Sequence, residues 1–371
     1  MKKTVGVLGC GGAVGKEVIR HLSEKYSILG GQRSFCEFEN KNVKWIKTDI
    51  FDPESLDRFC RQCDLVINSA GPSSKIKLRV AECAAANNID YVDTSGESIY
   101  IERETDLFKD TSNSFVIGAG LEAGLSGLIP YRLVRDFDEV ELAECYFGSR
   151  QRISRASLMD LLCSCFIDSG YANACYENGK IVSHKVPREE KHRVPGFRDE
   201  IYRKPYLSNE IIVMAGQCGI KAVKWYHAIA DMETMNILDT LFESVDRIDQ
   251  EDFLEALTDK YMVMFDAIAN TRPLFNSILY DLTGIKNGEP IRKATLCQVE
   301  EAYLLCGVVS ALAAEHLLEN RCKEGVSWAC EVLDAEKVIE TLVKDNILRD
   351  FKTVTLPVDK NEDEEQDSGE L

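Results

Sequence analysis

Basic residues are in short supply. The chain sets 44 Lys and Arg against 62 Asp and Glu, a formal net charge of −18 at pH 7 on 371 residues. This excludes a general nucleic-acid surface, where basic stripes supply most of the affinity, and an anionic cofactor would have to find local arginines instead. Part of the imbalance sits in the tail from 357 to 371, where positions 359–371 hold seven acids and one lysine; the tail is too polar to pack and is expected to be disordered. Long apolar runs are missing as well, since no window approaches about 18 apolar residues, and no membrane span is expected. The N-terminus lacks the charged, apolar and cleavage-site pattern of a leader, so a soluble, cytoplasmic protein is expected. Fourteen cysteines are present, but none falls in paired zinc spacing. Cys60-x-x-Cys63 has no second pair, and Cys163 and Cys165 read as core, so reduced thiols and no metal site are expected.

What the chain does have is a glycine cluster straight after its first apolar run: Thr4-Val-Gly-Val-Leu-Gly-Cys-Gly-Gly-Ala-Val-Gly15. A strand, a tight turn and a helix start are predicted there, the arrangement that holds a dinucleotide pyrophosphate. As G-x-G-x-x-G the match fails at Val14, whereas G-x-x-G-x-x-G is complete at Gly9, Gly12 and Gly15. Gly9 allows the turn, Gly11 or Gly12 removes the Cβ that would block the phosphates, and Gly15 permits close helix packing. The N–H groups around Ala13 and Val14 would then face the anion at the positive end of the helix dipole.

In this unit an acid at the end of the second strand favours a free 2′-hydroxyl, and an arginine favours a 2′-phosphate. Here the strand ends Ile28-Leu-Gly-Gly-Gln-Arg-Ser34, with no acid before Glu37. Arg33, supported by Gln32 and Ser34, is the expected phosphate clamp, and NADP(H) is expected over NAD(H). Asp49 is a candidate for the adenine end, and Ala70, Gly71 and Pro72 lie where the dinucleotide would cross.

Short apolar strands are predicted at 26–30, 43–48, 65–68, 89–93 and 114–118, with helices between several of them at 53–61 and 77–87. That alternation predicts an α/β, Rossmann-type doubly wound parallel sheet over residues 1–126. A second, α+β domain is expected over 127–290, with a strand at 139–147, a helix at 156–169, a hairpin at Tyr176-Glu-Asn-Gly-Lys180 and extended segments at 211–215 and 222–230. From 250 onward the chain reads as mainly helical, at 252–269, 298–320 and 335–346. The segment 291–350 is expected to pack back on the first domain.

Four separated blocks, Gly9–Gly15, Asn68-Ser-Ala-Gly-Pro72, Tyr91-Val-Asp-Thr-Ser-Gly-Glu97 and Gly118-Ala-Gly-Leu-Glu-Ala-Gly-Leu-Ser126, resemble in order and spacing the saccharopine dehydrogenase (saccharopine reductase-like) family. The likeness continues more weakly through Pro205–Glu210 and 294–348. It implies an NADPH-dependent oxidoreductase whose second domain serves substrate binding and dimerisation, and hence a homodimer. It places Gly9, Gly12 and Gly15 on the pyrophosphate, Arg33 at the adenosine end, Ala70, Gly71 and Pro72 beside the nicotinamide, and Asp93, Glu97 and the loop from Gly120 to Ser126, with Glu122, in the cleft. Many relatives carry Asp-Pro-Gly where this chain has Glu122-Ala123-Gly124.

Reductases of this type reduce an imine between an amine and an oxo-acid, which calls for carboxylate-binding arginines and one proton donor. Arg152 and Arg155 are the first candidates for a carboxylate-bearing substrate, with Arg193 and Arg198 behind them. Tyr176, His184 and His227 are candidates for the proton, alongside Asp93 and Glu97 at a strand's C-terminal end. Tyr176-x-x-x-Lys180 also matches a tyrosine/lysine catalytic pair that needs one helix face, but Asn178-Gly179 between them favours a turn. Two other readings stand beside an imine reductase: a carbon–carbon double-bond reductase acting on a lipid or thioester-bound substrate, and a non-catalytic NADP(H)-binding sensor or scaffold.

Overall fold

The computed structural model describes residues 2–109, 111–164, 170–243, 251–320 and 324–358. Six strands open the chain: β1 (Thr4–Leu8), β2 (Ser27–Gln32), β3 (Val43–Lys47), β4 (Leu65–Asn68), β5 (Asp90–Asp93) and β6 (Ser114–Ile117). Between and after them run α1 (Ala13–Leu22), α2 (Pro53–Cys60), α3 (Ser73–Ile76), α4 (Arg79–Ala86), α5 (Glu97–Ile101), α6 (Asp106–Lys109) and α7 (Leu125–Leu133). The second part holds β7 (Glu139–Arg150), α8 (Arg155–Ser164), β8 (Gly170–Ala172), β9 (Ala174–Glu177), β10 (Lys180–Ser183), β11 (Lys191–His192), β12 (Ile201–Ser208), α9 (Asn209–Gln217) and β13 (Ala222–Ile229). It continues with α10 (Met232–Glu243), α11 (Glu251–Thr271), β14 (Phe275–Lys286), β15 (Glu289–Val299), α12 (Ala302–Glu319), β16 (Gly325–Trp328), α13 (Ala329–Val332), α14 (Ala335–Lys344) and β17 (Leu348–Leu356).

The first sheet is parallel throughout, in the order β16-β6-β5-β4-β1-β2-β3. Strands such as Leu65-Val-Ile-Asn68 are buried along their whole length, as a sheet covered by helices on both faces requires. The strand order reverses between β1 and β4, and ligands of such sheets bind in the crevice at that point. The second sheet runs β10-β9-β13-β7-β14-β15-β17, with β12 joining β13, β11 and β8. Among its strand pairs only β13 and β7 run parallel. One hydrophobic core runs through both halves, from Val5 and Val66 through Leu128 on α7 to Trp225 and Tyr280.

Several sequence expectations need correcting. The segment 211–215 lies inside helix α9: the Ser208 hydroxyl accepts the Ile211 N–H at 3.3 Å and caps the helix, so β-branched Ile211 to Val213 follow the cap rather than their strand propensity. The helical reading from 250 onward misses the long β14–β15 hairpin, β16 and β17. That hairpin turns at Asn287-Gly288, both at positive φ, the same signal that Asn178-Gly179 supplies for β9–β10. Residues 291–350 therefore divide between the two sheets, since β15 and β17 extend the second while β16 adds to the first. α12 starts at Ala302 and is long and apolar enough to cross a membrane, although most of it is buried within the protein. It packs so close to α1 that a Cβ at Gly307 would stand 2.4 Å from Glu17 Cβ. The helix expected at 77–87 is α4, which starts only at Arg79 because Lys77, at φ 53°, ends α3 before it. Cys163 is buried, whereas Cys165, the last residues of the helix expected at 156–169 and positions 359–371 of the acidic tail lie outside the described residues.

Candidate functional site

At the strand-order reversal each glycine of the cluster has its own surroundings. Gly9 has φ 78°, and a Cβ there would lie 2.8 Å from the Ala70 backbone. Gly15 rests on the same turn, its absent Cβ 2.4 Å from the Gly9 carbonyl oxygen. Gly11 faces Gln32: its N–H donates to Gln32 Oε1 at 2.8 Å, and Gln32 Nε2 donates to the Ser34 carbonyl at 2.9 Å. Gly12 differs from all three. It is the N-cap of α1 at an ordinary φ of −70°, and a Cβ there would meet only the Gly9 oxygen, at 3.2 Å. No side chain caps α1, and the first-turn N–H groups of Ala13, Val14 and Gly15 have no intrahelical acceptor. The cradle therefore fits a pyrophosphate, with the Gly9 oxygen the one atom crowding the place of a Cβ at Gly12.

A groove of about 650 Å³ runs past this cradle, lined by Gly9, Gly12, Ala13, Val14, Ala70 and Gly71. Gln32, Arg33 and Thr48–Phe51 also line it. Arg33 is exposed there and has no ion pair among the described residues. The Asp49 carboxylate accepts the Phe51 N–H at 3.0 Å, which commits part of it to the turn.

The groove continues into a cavity of about 330 Å³, and the two share Ser73, Ile76, Asp93, Thr94, Ser95 and Asp160 as walls. Asp160, from α8 of the second part, accepts the N–H groups of Ser73 and Ser74 at 3.0 Å each, which locks the two halves across the junction. Asp93 is buried and accepts hydrogen bonds from the Tyr91 hydroxyl, from Asn68 Nδ2 at 3.1 Å and from the Ser95 N–H at 2.9 Å. Burial raises its pKa, against which these three bonds work.

Across the cavity, Glu122 Oε1 takes a hydrogen bond from Trp225 Nε1 at 2.9 Å and lies 3.2 Å from His227 Nε2. Burial alone would lower the imidazole pKa, but the charge and hydrogen bond of Glu122 raise it on balance. The ring stacks on Tyr206 at 5.3 Å between centroids. On the same cavity stands Glu97, whose Oε2 is shielded from solvent and has no hydrogen-bond partner among the described residues. Burial pushes its carboxyl up to about 8, partly offset by a hydrogen bond with the Asn209 side chain. Behind the wall, fully buried Glu210 accepts the Gly124 N–H at 2.7 Å and the Ser126 hydroxyl at 2.6 Å, and burial pushes it up to about 8 as well.

A model of the saccharopine dehydrogenase NADP binding domain matches residues 5–110. The N-terminal domain belongs to the saccharopine dehydrogenase NADP-binding family. Two curated relatives match over short stretches: a Caenorhabditis elegans "lipid droplet localized protein" is 34% identical over 88 residues, and an Arabidopsis thaliana "probable mitochondrial saccharopine dehydrogenase-like oxidoreductase" is 31% identical over 86. These stretches are 24% and 22% of this chain and only 18% and 19% of the relatives' lengths. The fold of the whole chain is similar to that of apo saccharopine dehydrogenase (L-Glu forming) from Saccharomyces cerevisiae, with a TM-score of 0.67 at 13% identity over 96% of this chain and 100% of that one.

Around the saccharopine dehydrogenase-type domain, Asp93, Glu97, Glu122 and His227 come together at one cavity. Tyr176 does not: it is buried in β9, paired with Ile181 across the hairpin and with Val223 of β13, and lines neither groove nor cavity. Lys180 thus lies beyond a turn from Tyr176, not on a shared helix face. His184 also lies elsewhere, hydrogen-bonded to the Tyr226 hydroxyl at 2.7 Å. Ser126 is fully buried under Glu210, so it supports the loop and does not face the cavity. Arg155 reaches outward to Glu255 and Asp259 on α11, and Arg152 lines the groove, bonded to Asn270 at 2.6 Å. Arg193 and Arg198 sit away from the cavity, in the loop before β12. Gly11, Gly15, Ser34 and Pro72 shape the groove from behind. Asp160, Lys204 and Trp225 escape the sequence reading because nothing local marks them, and Glu210 enters it only as the end of the Pro205–Glu210 block.

Proposed function

We propose that the protein is an NADP(H)-dependent oxidoreductase acting on a carbon–heteroatom double bond, carbonyl or imine, held in the 330 Å³ cavity. The observation that carries this reading is the shared wall of groove and cavity at Ser73, Asp93, Thr94 and Asp160, where a dinucleotide seated on Gly12 and α1 would present its far end to the cavity. When bound, that cofactor supplies or accepts a hydride at its nicotinamide ring. The chain's own residues bind and orient. Gly12 and the first turn of α1 seat the pyrophosphate, Arg33 reads the 2′-phosphate, and Asp160 fixes the loop from Ala70 to Ser74. His227, with its pKa raised by Glu122, can hold a proton at Nε2 or Nδ1 at the cavity wall.

Among the described residues no arginine lines the cavity, whose basic side chains are Lys77, Lys204 and His227. Equilibrium binding tests the cofactor half. Wild-type protein should prefer NADPH over NADH by about tenfold or more, and Arg33→Ala should abolish most of that preference. Equal affinities for the two in the wild type would sink the assignment of Arg33.

A further inference from the structure

A second cavity, of about 490 Å³, opens at the end of β7, where the start of β14, the end of β15 and the loop before β12 meet. That volume is usual for a small-molecule site. Its lining includes polar side chains that are almost fully enclosed: Arg150 is 8% exposed, Asn276 4% and Ser277 1%. Phe197 and Phe275 supply an apolar part, edge to face at 6.1 Å between centroids, and the Arg150 guanidinium lies over the Phe275 ring at 5.4 Å.

Arg150 is held in place but not used up. Its Nη1 donates to the Pro273 carbonyl at 3.2 Å and its Nη2 to Asp231 at 3.4 Å, both long for such bonds. Asp231 is committed elsewhere, accepting the N–H and the hydroxyl of Thr234 at 2.8 and 2.9 Å and pairing with Arg272 at 3.1 Å. A guanidinium carries five N–H donors, so three of those on Arg150 have no acceptor among the described residues. The Arg203 Nε is sealed away from solvent, whereas the Arg150 Nε is not, and Arg150 lines this cavity. Donors left without an acceptor in an enclosed place are costly, and this planar fork is shaped for a carboxylate.

The other charged groups narrow the ligand further. Glu300 and Arg349 neutralise each other in an ion pair. Arg198, Asp199 and Glu301 also line the cavity, and their side chains have no partner among the described residues. That leaves Arg150 and Arg198 facing Asp199 and Glu301, two charges of each sign. A dianion would meet the acids, and a simple cation would meet the arginines. A molecule with one carboxylate and one ammonium meets a counter-charge for each, and its carbon body meets the two phenylalanines.

We infer that this cavity binds a small zwitterion with an apolar body, its carboxylate on Arg150 and Arg198 and its ammonium on Glu301 and Asp199. The cavity has no wall in common with the 330 Å³ cavity and shares only Gln151 with the dinucleotide groove, so the inference is independent of the oxidoreductase reading.

The test titrates the full chain by calorimetry with L-leucine, with isocaproate, which lacks the ammonium, and with isopentylamine, which lacks the carboxylate. Leucine should bind with a Kd below about 1 mM, and each of the other two at least about tenfold more weakly. Because Arg150 also anchors the Pro273 carbonyl, the variants are Arg198→Ala and Glu301→Gln, with Tm confirming that each is folded. Arg198→Ala should weaken leucine and isocaproate alike, by about fivefold or more. Glu301→Gln should weaken leucine by about fivefold and leave isocaproate within about twofold. Unchanged leucine binding in both folded variants, equal wild-type affinities for leucine and isocaproate, or no leucine binding at about 10 mM would overturn the inference.

Discussion

The groove and the cavity are built in opposite ways. The groove is a backbone device: within seven residues, Gly9 to Gly15 supply a positive-φ turn, two close approaches and an uncapped helix start. The cavity is a side-chain device, drawing Glu97, Glu122, Asp160, Lys204 and His227 from five places along the chain. A site made of backbone must declare itself locally, because only glycine tolerates its geometry. A site made of side chains can hide in ordinary residues until the fold gathers them.

The sharpest way to break the comparison is to add a methyl group inside the cradle. Gly15→Ala would place its Cβ 2.4 Å from the Gly9 carbonyl oxygen, a backbone atom that cannot rotate away. It should cost about 3 kcal/mol in denaturant unfolding and remove NADPH binding with it. On the cavity side, Glu210→Ala would leave the Gly124 N–H and the Ser126 hydroxyl buried without their acceptor, a loss of about 1–3 kcal/mol. Glu210→Gln should cost less, because the side chain it replaces is largely neutral at pH 7.

These buried acids also set a pH trend. Glu97 and Glu210 have folded-state pKa values of about 8 against an ordinary 4.5, so between those limits the folded state binds more protons than the unfolded one. Stability from these two groups is therefore full below about pH 4.5, falls as pH rises to about 8, and levels off above it. Thermal unfolding from pH 5 to 8.5 should show that decline, and it should be shallower in Glu97→Gln and Glu210→Gln.

Much of the first sheet is legible because its strands are short, apolar and punctuated by turns, and Arg33 draws notice because an expected acid is missing at a strand end that lines the groove. The second sheet was half legible. Asn178-Gly179 announces one hairpin, whereas the equivalent Asn287-Gly288 lies in a stretch whose pattern is mainly helical. Of the site, Asp93, Glu97, Glu122 and His227 were reachable from strand ends and family-like blocks. Asp160 was not, since it is one acid on an otherwise ordinary helix and its role exists only when α8 meets the start of α3. The arginines were chosen for their chemistry, yet Arg155 spends it on α11. The smallest expected effect follows from that: Arg155→Ala, an exposed ion-pair change, should leave NADPH affinity and substrate KM unaltered and barely move Tm.

Gly12 tests the central claim, that the groove is a dinucleotide site and not merely a structural turn. Its φ of −70° suits any residue, and a Cβ there meets one backbone oxygen, Gly9 O at 3.2 Å, which must give by a few tenths of an ångström, so Gly12→Ala should fold with a Tm modestly below wild type and far above that of Gly15→Ala. Titrated with NADPH by fluorescence, wild-type protein should bind and Gly12→Ala should bind at least about tenfold more weakly, because the methyl group occupies the phosphate seat. Equal NADPH affinity in a well-folded Gly12→Ala protein, or no NADPH binding by the wild type, would contradict the account.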